Sequence, residues 1–417
     1  MPVFRTRPRL NLLMSWLLLT GLAACSDSAH ASDYAIRYEA SFSGDKQKAS
    51  VTISVKQTRA SLRQLTMTLP EQTVAKVSAD GDVTRDANQL SWEIPKQGGE
   101  LHYELVIKKR RAAGYDALIN PDWALLRFED LFPIASSRTR SGAIGNAEFF
   151  LTSKDNWSFE TRYGRLFEKA IAIESPGRRL NRPTGWLIAG NLGIRRTQTQ
   201  HHQITVAAPA GSRYQRLPTL SFLRWTLPSF HKVFPMLPQS VLIVSGDDTM
   251  WRGALSGPSS LYLHPSRPLI SENSTSTLLH ELVHVATRWR AAPGDDWIVE
   301  GVAEYYALEM LRRSDGISEQ RYQDALVGLQ KWVDADGGRL AHPSKGANTA
   351  AAVLLFVEID RELRAQGTNG MDDVIEHLVK PSAGPRNIAR GQLIDCLRTL
   401  LGKESVALSA ALKAARL

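Results

Sequence analysis

The spacing of the apolar residues changes near residue 212, and this change divides the chain into two parts. Before it, short runs such as 49–55 and 101–108 alternate apolar and polar residues or cluster β-branched and aromatic ones. This pattern is typical of antiparallel strands, whereas the apolar residues beyond it recur at helical spacing. The sequence therefore predicts an α+β protein, with an antiparallel β-rich domain over 34–212 and a mostly helical domain over 213–417.

The helical part is predicted to begin with a short β–α–β unit. Strands are expected at 204–207 and 241–245 on either side of a helix at 220–233, followed by an edge strand at 259–263. The helices predicted beyond this unit are 274–290, 298–313, 319–334, 347–364, 371–379, 388–401 and 406–414. Cys396 lies in an apolar helical pattern and is interpreted as a core residue.

The composition is that of an ordinary globular protein. The chain has 417 residues, of which 43% are hydrophobic and 22% charged, and this balance excludes collagen-like and wholly disordered structures. With 2 cysteines, packing and not disulfides must hold the chain together. The formal net charge is +9, but the charges form no continuous stripe, so no nucleic-acid partner is expected. The basic cluster at 108–111 is predicted to be a solvated loop.

The first two dozen residues resemble a secretory signal. Three arginines precede an apolar run, 10–24, that is too short to span a membrane and ends in Leu-Ala-Ala-Cys25. This ending is similar to the lipobox of bacterial lipoproteins, which implies removal of a signal peptide at 1–24, lipidation of Cys25 and a tether over 25–33. A plain signal peptide cut nearby, with an incidental cysteine, is the alternative.

The lipoprotein interpretation also predicts a location. Ser26 follows Cys25, which by analogy with enterobacterial sorting favours the outer membrane. We therefore expect a protein of the bacterial cell envelope, anchored to the membrane through its lipid and facing the periplasm. Loss of the three signal-peptide arginines would lower the net charge from +9 to +6.

The strongest chemical signal is the motif His280-Glu281-x-x-His284 inside an apolar stretch of helical spacing. The two histidines lie one turn apart on the same helix face, so both imidazoles can bind one Zn²⁺. Glu281 can reach a water on that ion without becoming a ligand, as a general base requires. Glu300 begins a second helix, and an antiparallel helix pair would bring it opposite the histidines. Two histidines, one carboxylate and an open position are typical of a catalytic zinc site. Core histidines beside an ordinary helix-start acid are the alternative.

This arrangement of motifs resembles the gluzincin metallopeptidases, in which His-Glu-x-x-His is followed by a Glu-Gly-x-Ala-type helix. Fifteen residues separate His284 from Glu300, a spacing similar to that of the glycyl aminopeptidase branch. Residues 344–361 are similar to the Lys-Gly helix of that branch, and 34–210 occupy the place of its N-terminal β domain. The resemblance implies a thermolysin-like catalytic domain, one zinc ion, and a peptide or protein substrate. The helical pattern near Leu417 predicts no PDZ domain, which relatives of this branch often carry.

The resemblance also assigns a role to Glu304, which stands four residues after Glu300 and therefore on the same helix face. In thermolysin-like enzymes an acid at this offset accepts a hydrogen bond from a zinc-binding histidine. Glu304 is accordingly expected to orient His280. A plain surface acid is the alternative interpretation.

Two departures from the family pattern concern catalysis and specificity. Aminopeptidases of this group stabilise the oxyanion with a tyrosine near the Lys-Gly motif, but 341–346 contain none. His342 is the candidate donor in its place, with Tyr305 and Tyr306 as alternatives, or His342 is an incidental loop residue. Residues 253–260 lack the glutamate that recognises the substrate amine in alanyl-type enzymes, so a strict aminopeptidase is not expected.

The sequence thus favours a zinc-dependent peptidase of the bacterial envelope, with exo- and endopeptidase activity both open. The rival hypothesis is a catalytically weak or inactive envelope lipoprotein that keeps the fold for binding or scaffolding. The missing tyrosine and glutamate favour the rival, whereas the complete ligand set and Glu281 oppose it. No oligomeric state is predicted.

Overall fold

The computed structural model of the protein describes residues 33–69, 73–165, 169–173, 180–379 and 386–417. The predicted signal peptide, Cys25 and all of the predicted tether except its last residue lie outside the described residues. Within the part of the chain that the structure describes, every helix is too short or too polar to span a bilayer.

The first part of the chain is built almost entirely from β-strands. Its elements are β1 (Tyr34–Ser43), β2 (Lys48–Gln57), β3 (Leu62–Thr68), β4 (Val74–Ala79), β5 (Val83–Asp86), β6 (Gln89–Glu93), β7 (Gly98–Val106), β8 (Lys108–Arg111), β9 (Gly114–Ile119), β10 (Trp123–Arg127), α1 (Phe128–Leu131), β11 (Ile134–Thr139), β12 (Gly145–Ser153), β13 (Ser158–Thr161), β14 (Gly164–Arg165), β15 (Ile171–Ala172) and β16 (Trp186–Gly190). The run predicted at 49–55 lies in β2, and the run predicted at 101–108 lies in β7 as far as Val106, with Lys108 at the start of β8. In β2 and β7 apolar residues alternate between the core and the opposite face.

These strands form three sheets. Their strand orders are β15-β12-β1-β2-β7-β4, β14-β13-β16-β10-β9-β8 and β11-β3-β6-β5. Every neighbouring pair is antiparallel except β1 and β12, which run parallel over nine residue pairs. The antiparallel β-rich domain predicted from the sequence is therefore present, with one parallel pairing that the periodicity did not reveal.

The basic cluster at 108–111 is not a loop, so that prediction was wrong. These residues form β8, the edge strand next to β9, and all four side chains are exposed. The guanidinium of Arg111 lies 4.5 Å from the ring centroid of Trp251. Charged side chains suit an edge strand because they discourage pairing with other strands, and a polar run can therefore be a strand.

The second part combines a mixed sheet with helices. Its elements are β17 (Leu192–Gln198), β18 (Gln203–Pro209), α2 (Arg216–Val233), β19 (Ser240–Val244), β20 (Ala254–Gly257), β21 (Ser260–Leu263), α3 (Thr277–Thr287), β22 (Trp289–Ala291), α4 (Asp296–Arg313), α5 (Glu319–Asp336), α6 (Ala347–Arg364), α7 (Met371–Leu378), β23 (Arg386–Ile388), α8 (Arg390–Leu401) and α9 (Val406–Ala415). The predicted helices are all present, with ends that shift by a few residues. Cys396 is 1% exposed in α8, as predicted.

The mixed sheet has the strand order β17-β18-β19-β21-β20. β18, β19 and β21 run parallel, and β20 turns back antiparallel to β21. The strand predicted at the edge, β21, is therefore internal, because β20 covers its outer side. The hairpin β17–β18 precedes the predicted domain boundary at residue 212 yet pairs with β19 in this sheet.

The two parts are packed against each other through an apolar layer between sheets. Trp123 and Trp186 of the first part contact the cluster that contains Leu242 and Tyr262 of the mixed sheet. The indole Nε1 of Trp186 also donates a hydrogen bond to the carbonyl oxygen of Leu255 in β20. The edge strand β20 of the mixed sheet is therefore in contact with the β-rich part.

Candidate metal centre

The helix α3 carries the His-Glu-x-x-His motif and is bounded by two local signals. The side chain of Ser276 accepts a hydrogen bond from the amide of Leu279, which caps the N-terminus. Arg288 ends the helix in the left-handed conformation, with φ of 53°. The predicted helix over 274–290 was therefore too long. The short strand β22 follows it, before the next helix begins.

The helix α4 brings Glu300 to the motif because α3 and α6 pack closely on it. Gly301 is the reason for the close approach of α6, since a Cβ built there would lie 2.6 Å from the Cβ of Ala352 and 2.8 Å from the ring of Phe356. The glycine that follows Glu300 thus sets the depth of α4 in the core. Trp297, at the same end of the helix, is fully buried.

The side chains of His280, His284 and Glu300 converge at one point. The two Nε2 atoms are 3.1 Å apart, and Oε2 of Glu300 lies 3.3 Å from Nε2 of His280 and 3.7 Å from Nε2 of His284. All three residues offer a ligand atom within 4.8 Å of the others. No other group of three His, Cys, Asp or Glu side chains among the described residues converges in this way.

This geometry fits a zinc ion. At Zn–N and Zn–O distances of about 2.0–2.2 Å, tetrahedral ligand atoms lie about 3.3 Å apart, and the three observed separations fall around that value. The donor set of two imidazoles and one carboxylate is also that of catalytic zinc sites with an open position. His280, His284 and Glu300 would therefore be the residues that hold the ion.

The carboxylate of Glu304 accepts a hydrogen bond from Nδ1 of His280 at 2.8 Å. Burial by itself would lower the pKa of His280, but its hydrogen bonds with Glu300 and Glu304 raise the pKa well above the ordinary value. Burial would likewise raise the pKa of Glu304, and the hydrogen bond with His280 instead lowers it. The contact fixes Nδ1 as the protonated nitrogen and directs Nε2 of His280 to the cluster.

Glu304 should therefore strengthen metal binding without being a ligand. We expect Glu304→Gln to weaken Zn²⁺ affinity by about 10–100-fold, because the neutral amide loses the charge that makes His280 a better donor. Competition with a chromophoric chelator measures the affinity, and circular dichroism checks that the variant is folded. An affinity equal to that of the wild type in a folded variant would assign Glu304 to the protein surface instead.

Glu281 follows His280 in α3 and is 8% exposed. Its charge contributes to the raised pKa of His280, which places its carboxylate in the electrostatic field of the cluster. The residue is in the motif position that the sequence assigns to a general base.

A cavity of about 460 Å³ opens beside the cluster, with His284 and Glu300 in its wall. Its lining comes from both parts of the chain. The other lining residues are Glu129, Arg182, Thr184, Ser256, Gly257, Pro258, Arg288, Trp289, Arg290, Ala291, Asp296 and Val299. Sequence analysis missed Glu129 and Arg182, which lie far from the motif in the chain, before the mixed sheet begins. No local pattern marks them, because only the packing of the β-rich domain brings them here.

Among the candidate oxyanion donors, His342 lies beside the cavity. Its Nδ1 contacts Oδ2 of Asp296, a residue of the cavity wall, at 3.0 Å, and its side chain is 66% exposed. Tyr306 is fully buried and donates its hydroxyl hydrogen bond to Asp372 at 2.9 Å. Tyr305 is 2% exposed. The structure thus brings together the predicted ligands and Glu304, with His342 at the margin of the cavity, whereas the Tyr306 hydroxyl is engaged with Asp372.

Sequence comparison identifies no relatives: no protein-family model and no curated protein matches the chain. Structure comparison does find similar folds. An aminopeptidase N family protein from Idiomarina loihiensis is 15% identical, with a TM-score of 0.63, and the match covers 86% of this chain and 72% of that chain. An M1 zinc metallopeptidase from Deinococcus radiodurans, solved with a Tyr-Ser-Ala substrate, is 15% identical with a TM-score of 0.54 and coverage of 91% and 92%.

A third similar structure is yeast LTA4 hydrolase in complex with bestatin, at 13% identity and a TM-score of 0.54, covering 89% of this chain and 65% of that chain. At such identities the likeness establishes the fold. The α+β architecture, a β-rich N-terminal domain followed by a helical domain, is that of the M1 zinc aminopeptidases. This confirms the fold class that the sequence predicts.

Proposed function

We propose that the protein is a zinc-dependent peptidase of the bacterial cell envelope. The observation that carries the proposal is the convergence of His280, His284 and Glu300 at separations of 3.1–3.7 Å. The fold supports it, since similar structures include zinc metallopeptidases, one of them bound to a peptide.

The chemistry follows from the residues at the site. Zn²⁺ held by the three ligands would supply a Lewis acid that lowers the pKa of a water to about 7. Glu281 would take a proton on its carboxylate from the attacking water and deliver it to the nitrogen of the leaving amine. Glu304 would hold His280 in the tautomer that points Nε2 to the site.

The peptide would bind along β20, the edge strand of the mixed sheet that borders the cavity. Ser256 and Gly257 of this strand line the cavity that also contains His284 and Glu300. An extended peptide could add to such an edge through main-chain hydrogen bonds, which do not depend on its side chains. This mode of binding requires no recognition of the peptide terminus and is compatible with the lack of an acidic residue in 253–260.

The envelope location rests on the N-terminal sequence. The arginines, the apolar run and the lipobox-like ending at Cys25 support a lipid-anchored protein of the cell envelope. Ser26 after Cys25 favours the outer membrane, with the protein facing the periplasm. Its substrates would then be periplasmic peptides or proteins.

A binding or scaffolding function is the second candidate, and one observation favours it. The oxyanion-binding tyrosine is missing from 341–346, and the hydroxyl of Tyr306 is engaged with Asp372. Loss of one oxyanion donor typically lowers the catalytic rate by about 10²–10³-fold. A protein with this fold, a bound metal and little or no hydrolysis would therefore be a binding protein.

A peptide library incubated with zinc-loaded protein, with and without a chelator, separates the two functions. We expect cleavage that the chelator abolishes and added Zn²⁺ restores, because the three ligands and Glu281 are all present. Mass spectrometry of the products also shows whether cleavage is terminal or internal. Protein that binds one zinc ion and cleaves no peptide in the library would reject the peptidase and support the scaffold.

A further inference from the structure

A second and larger cavity lies on the other side of Glu304. It has a volume of about 620 Å³, within the range of ligand pockets, and is bounded by the loop before α3 and by α4, α5 and α6. Glu300 lines the first cavity and Glu304 lines the second. Glu304 also contacts Nδ1 of His280 at 2.8 Å. One side chain therefore separates the second cavity from the metal cluster.

One face of α5 forms a wall of this cavity. Its residues recur at intervals of three and four, which places them on a single face: Arg321, Asp324, Ala325, Gly328, Leu329 and Trp332. The buried residues of α5, Tyr322 and Leu326, lie beside this face, and Ala325 and Leu329 at its margin pack against the core. The rest of the face borders open space, since its residues Arg321, Asp324, Gly328 and Trp332 are exposed.

Gly328 keeps that wall open. A Cβ built on it would meet no atom within 4 Å, although it lies in the middle of α5. Glycine inside a helix costs about 1 kcal/mol relative to alanine. Neither crowding nor an unusual backbone angle requires glycine here, so the residue has the effect of leaving the cavity wider.

The cavity combines apolar walls with an acidic rim. Leu308, Leu329 and Val353 supply aliphatic surface, and the Trp332 indole, which is 44% exposed, lies among the lining residues. Exposed carboxylates at the rim belong to Glu272 and Asp324. An alkyl chain that ends in a cation matches such a surface, because its stem packs on apolar groups while its charge meets an aromatic ring and carboxylates.

Arg321 is the one cation among the lining residues, and it is held in place. Its Nε donates to Oγ of Ser274 at 3.0 Å, and a second guanidinium nitrogen donates to the carbonyl oxygen of Ser271 at 3.1 Å. Glu304 is paired with His280. Glu272 and Asp324 therefore outnumber Arg321 at the rim, which leaves the rim with a negative balance.

We propose that this cavity receives a lysine or arginine side chain of the peptide substrate, within two residues of the scissile bond. The inference rests on the proposed peptidase function and adds the substrate class to it. The alkyl stem would lie against Leu329 and Trp332, with the cation between Asp324 and Glu272.

The test uses peptides that differ only in one residue, which is lysine, its neutral isostere norleucine, or glutamate. Each is placed singly at the two positions on either side of the cleaved bond. We expect kcat/KM for lysine to exceed that for norleucine by about tenfold at one of these positions. Asp324→Asn should reduce this ratio at least threefold. Equal values for lysine and norleucine, or a preference for glutamate, would overturn the proposal.

Asp334→Asn is the matched control. Asp334 lies on α5 outside the cavity and accepts a hydrogen bond from Gln330 at 2.8 Å, as Asp324 does from Gln320 at 2.9 Å. Asp334→Asn should keep the wild-type ratio of kcat/KM for the lysine peptide to kcat/KM for the norleucine peptide. Gly328→Leu should lower kcat/KM for the lysine peptide more than kcat/KM for an all-alanine peptide, because its side chain would fill the cavity. Gly328→Leu that cleaves both peptides like the wild type would remove the cavity from substrate binding.

A binding measurement separates this inference from the proposed function. Calorimetry with the Glu281→Gln protein measures the affinities of the lysine and norleucine peptides without turnover. If the wild type cleaves no peptide, the peptidase proposal fails, and the affinity ratio still decides the preference of the cavity. If it cleaves peptides without preferring lysine and binds both equally, only the inference about the cavity fails.

Discussion

Replacement of Glu281 by glutamine is expected to lower peptide hydrolysis by about 10²–10⁴-fold while the protein keeps its zinc. Glutamine has nearly the shape of glutamate, so the packing of α3 around this residue, which is 8% exposed, should survive. An amide, however, cannot take a proton from the attacking water. The loss should therefore appear mainly in kcat, with metal content, measured by inductively coupled plasma mass spectrometry, near one ion per chain.

Glu358→Gln provides the control for this prediction. Glu358 is an exposed acid of α6 that pairs with Arg361 at 2.5 Å and does not line either cavity. It should leave hydrolysis unchanged. Full activity in Glu281→Gln would show that another group removes the proton, and loss of zinc together with activity would show that Glu281 serves the metal site structurally.

Replacement of His284 by alanine should abolish zinc binding at the site and, with it, hydrolysis. Removal of one of three ligands costs more than removal of an outer hydrogen-bond partner, so we expect affinity to fall by more than about 100-fold. Zinc binding also stabilises the native state relative to the unfolded chain. At free zinc concentrations 100 times Kd, the wild type should gain about 2.7 kcal/mol, which His284→Ala should lose.

Thermal unfolding with zinc and with chelator measures this gain, and equilibrium dialysis measures the stoichiometry. His377→Ala, which removes a histidine of α7 outside the cluster, should behave like the wild type. A zinc-dependent rise in melting temperature that persists in His284→Ala would place the metal at other residues.

Prediction from the sequence succeeded where a local pattern was sufficient. The helices beyond residue 212 follow apolar repeats, and α3 begins at a serine cap that satisfies its first amides. The edge of the mixed sheet was assigned incorrectly because β20 and β21 are both short, and their order depends on which strand meets β19. The basic strand β8 was missed since its four exposed side chains carry no alternation.

The same distinction between local patterns and tertiary contacts applies to the candidate site. His280 and His284 are one helical turn apart in any helix, so their shared face follows from the chain itself. Glu304 was predicted from its offset and the family resemblance, and the structure places it 2.8 Å from Nδ1 of His280. The position of the candidate oxyanion donor His342 could not be predicted, because this residue lies in a loop. Its contact with Asp296 joins two segments that are distant along the chain.

The amino-acid sequence by itself determined the helix that presents two imidazoles and a neighbouring carboxylate, because interactions within four residues set that geometry. Only the tertiary structure decided that Glu300 meets them, since this depends on how α4 packs against α3. The tertiary structure also determined which residues line the two cavities. Glu129 and Arg182 line the first cavity together with residues of the metal cluster, and α5 lines the second together with the loop before α3. In both cavities the lining segments are distant along the chain.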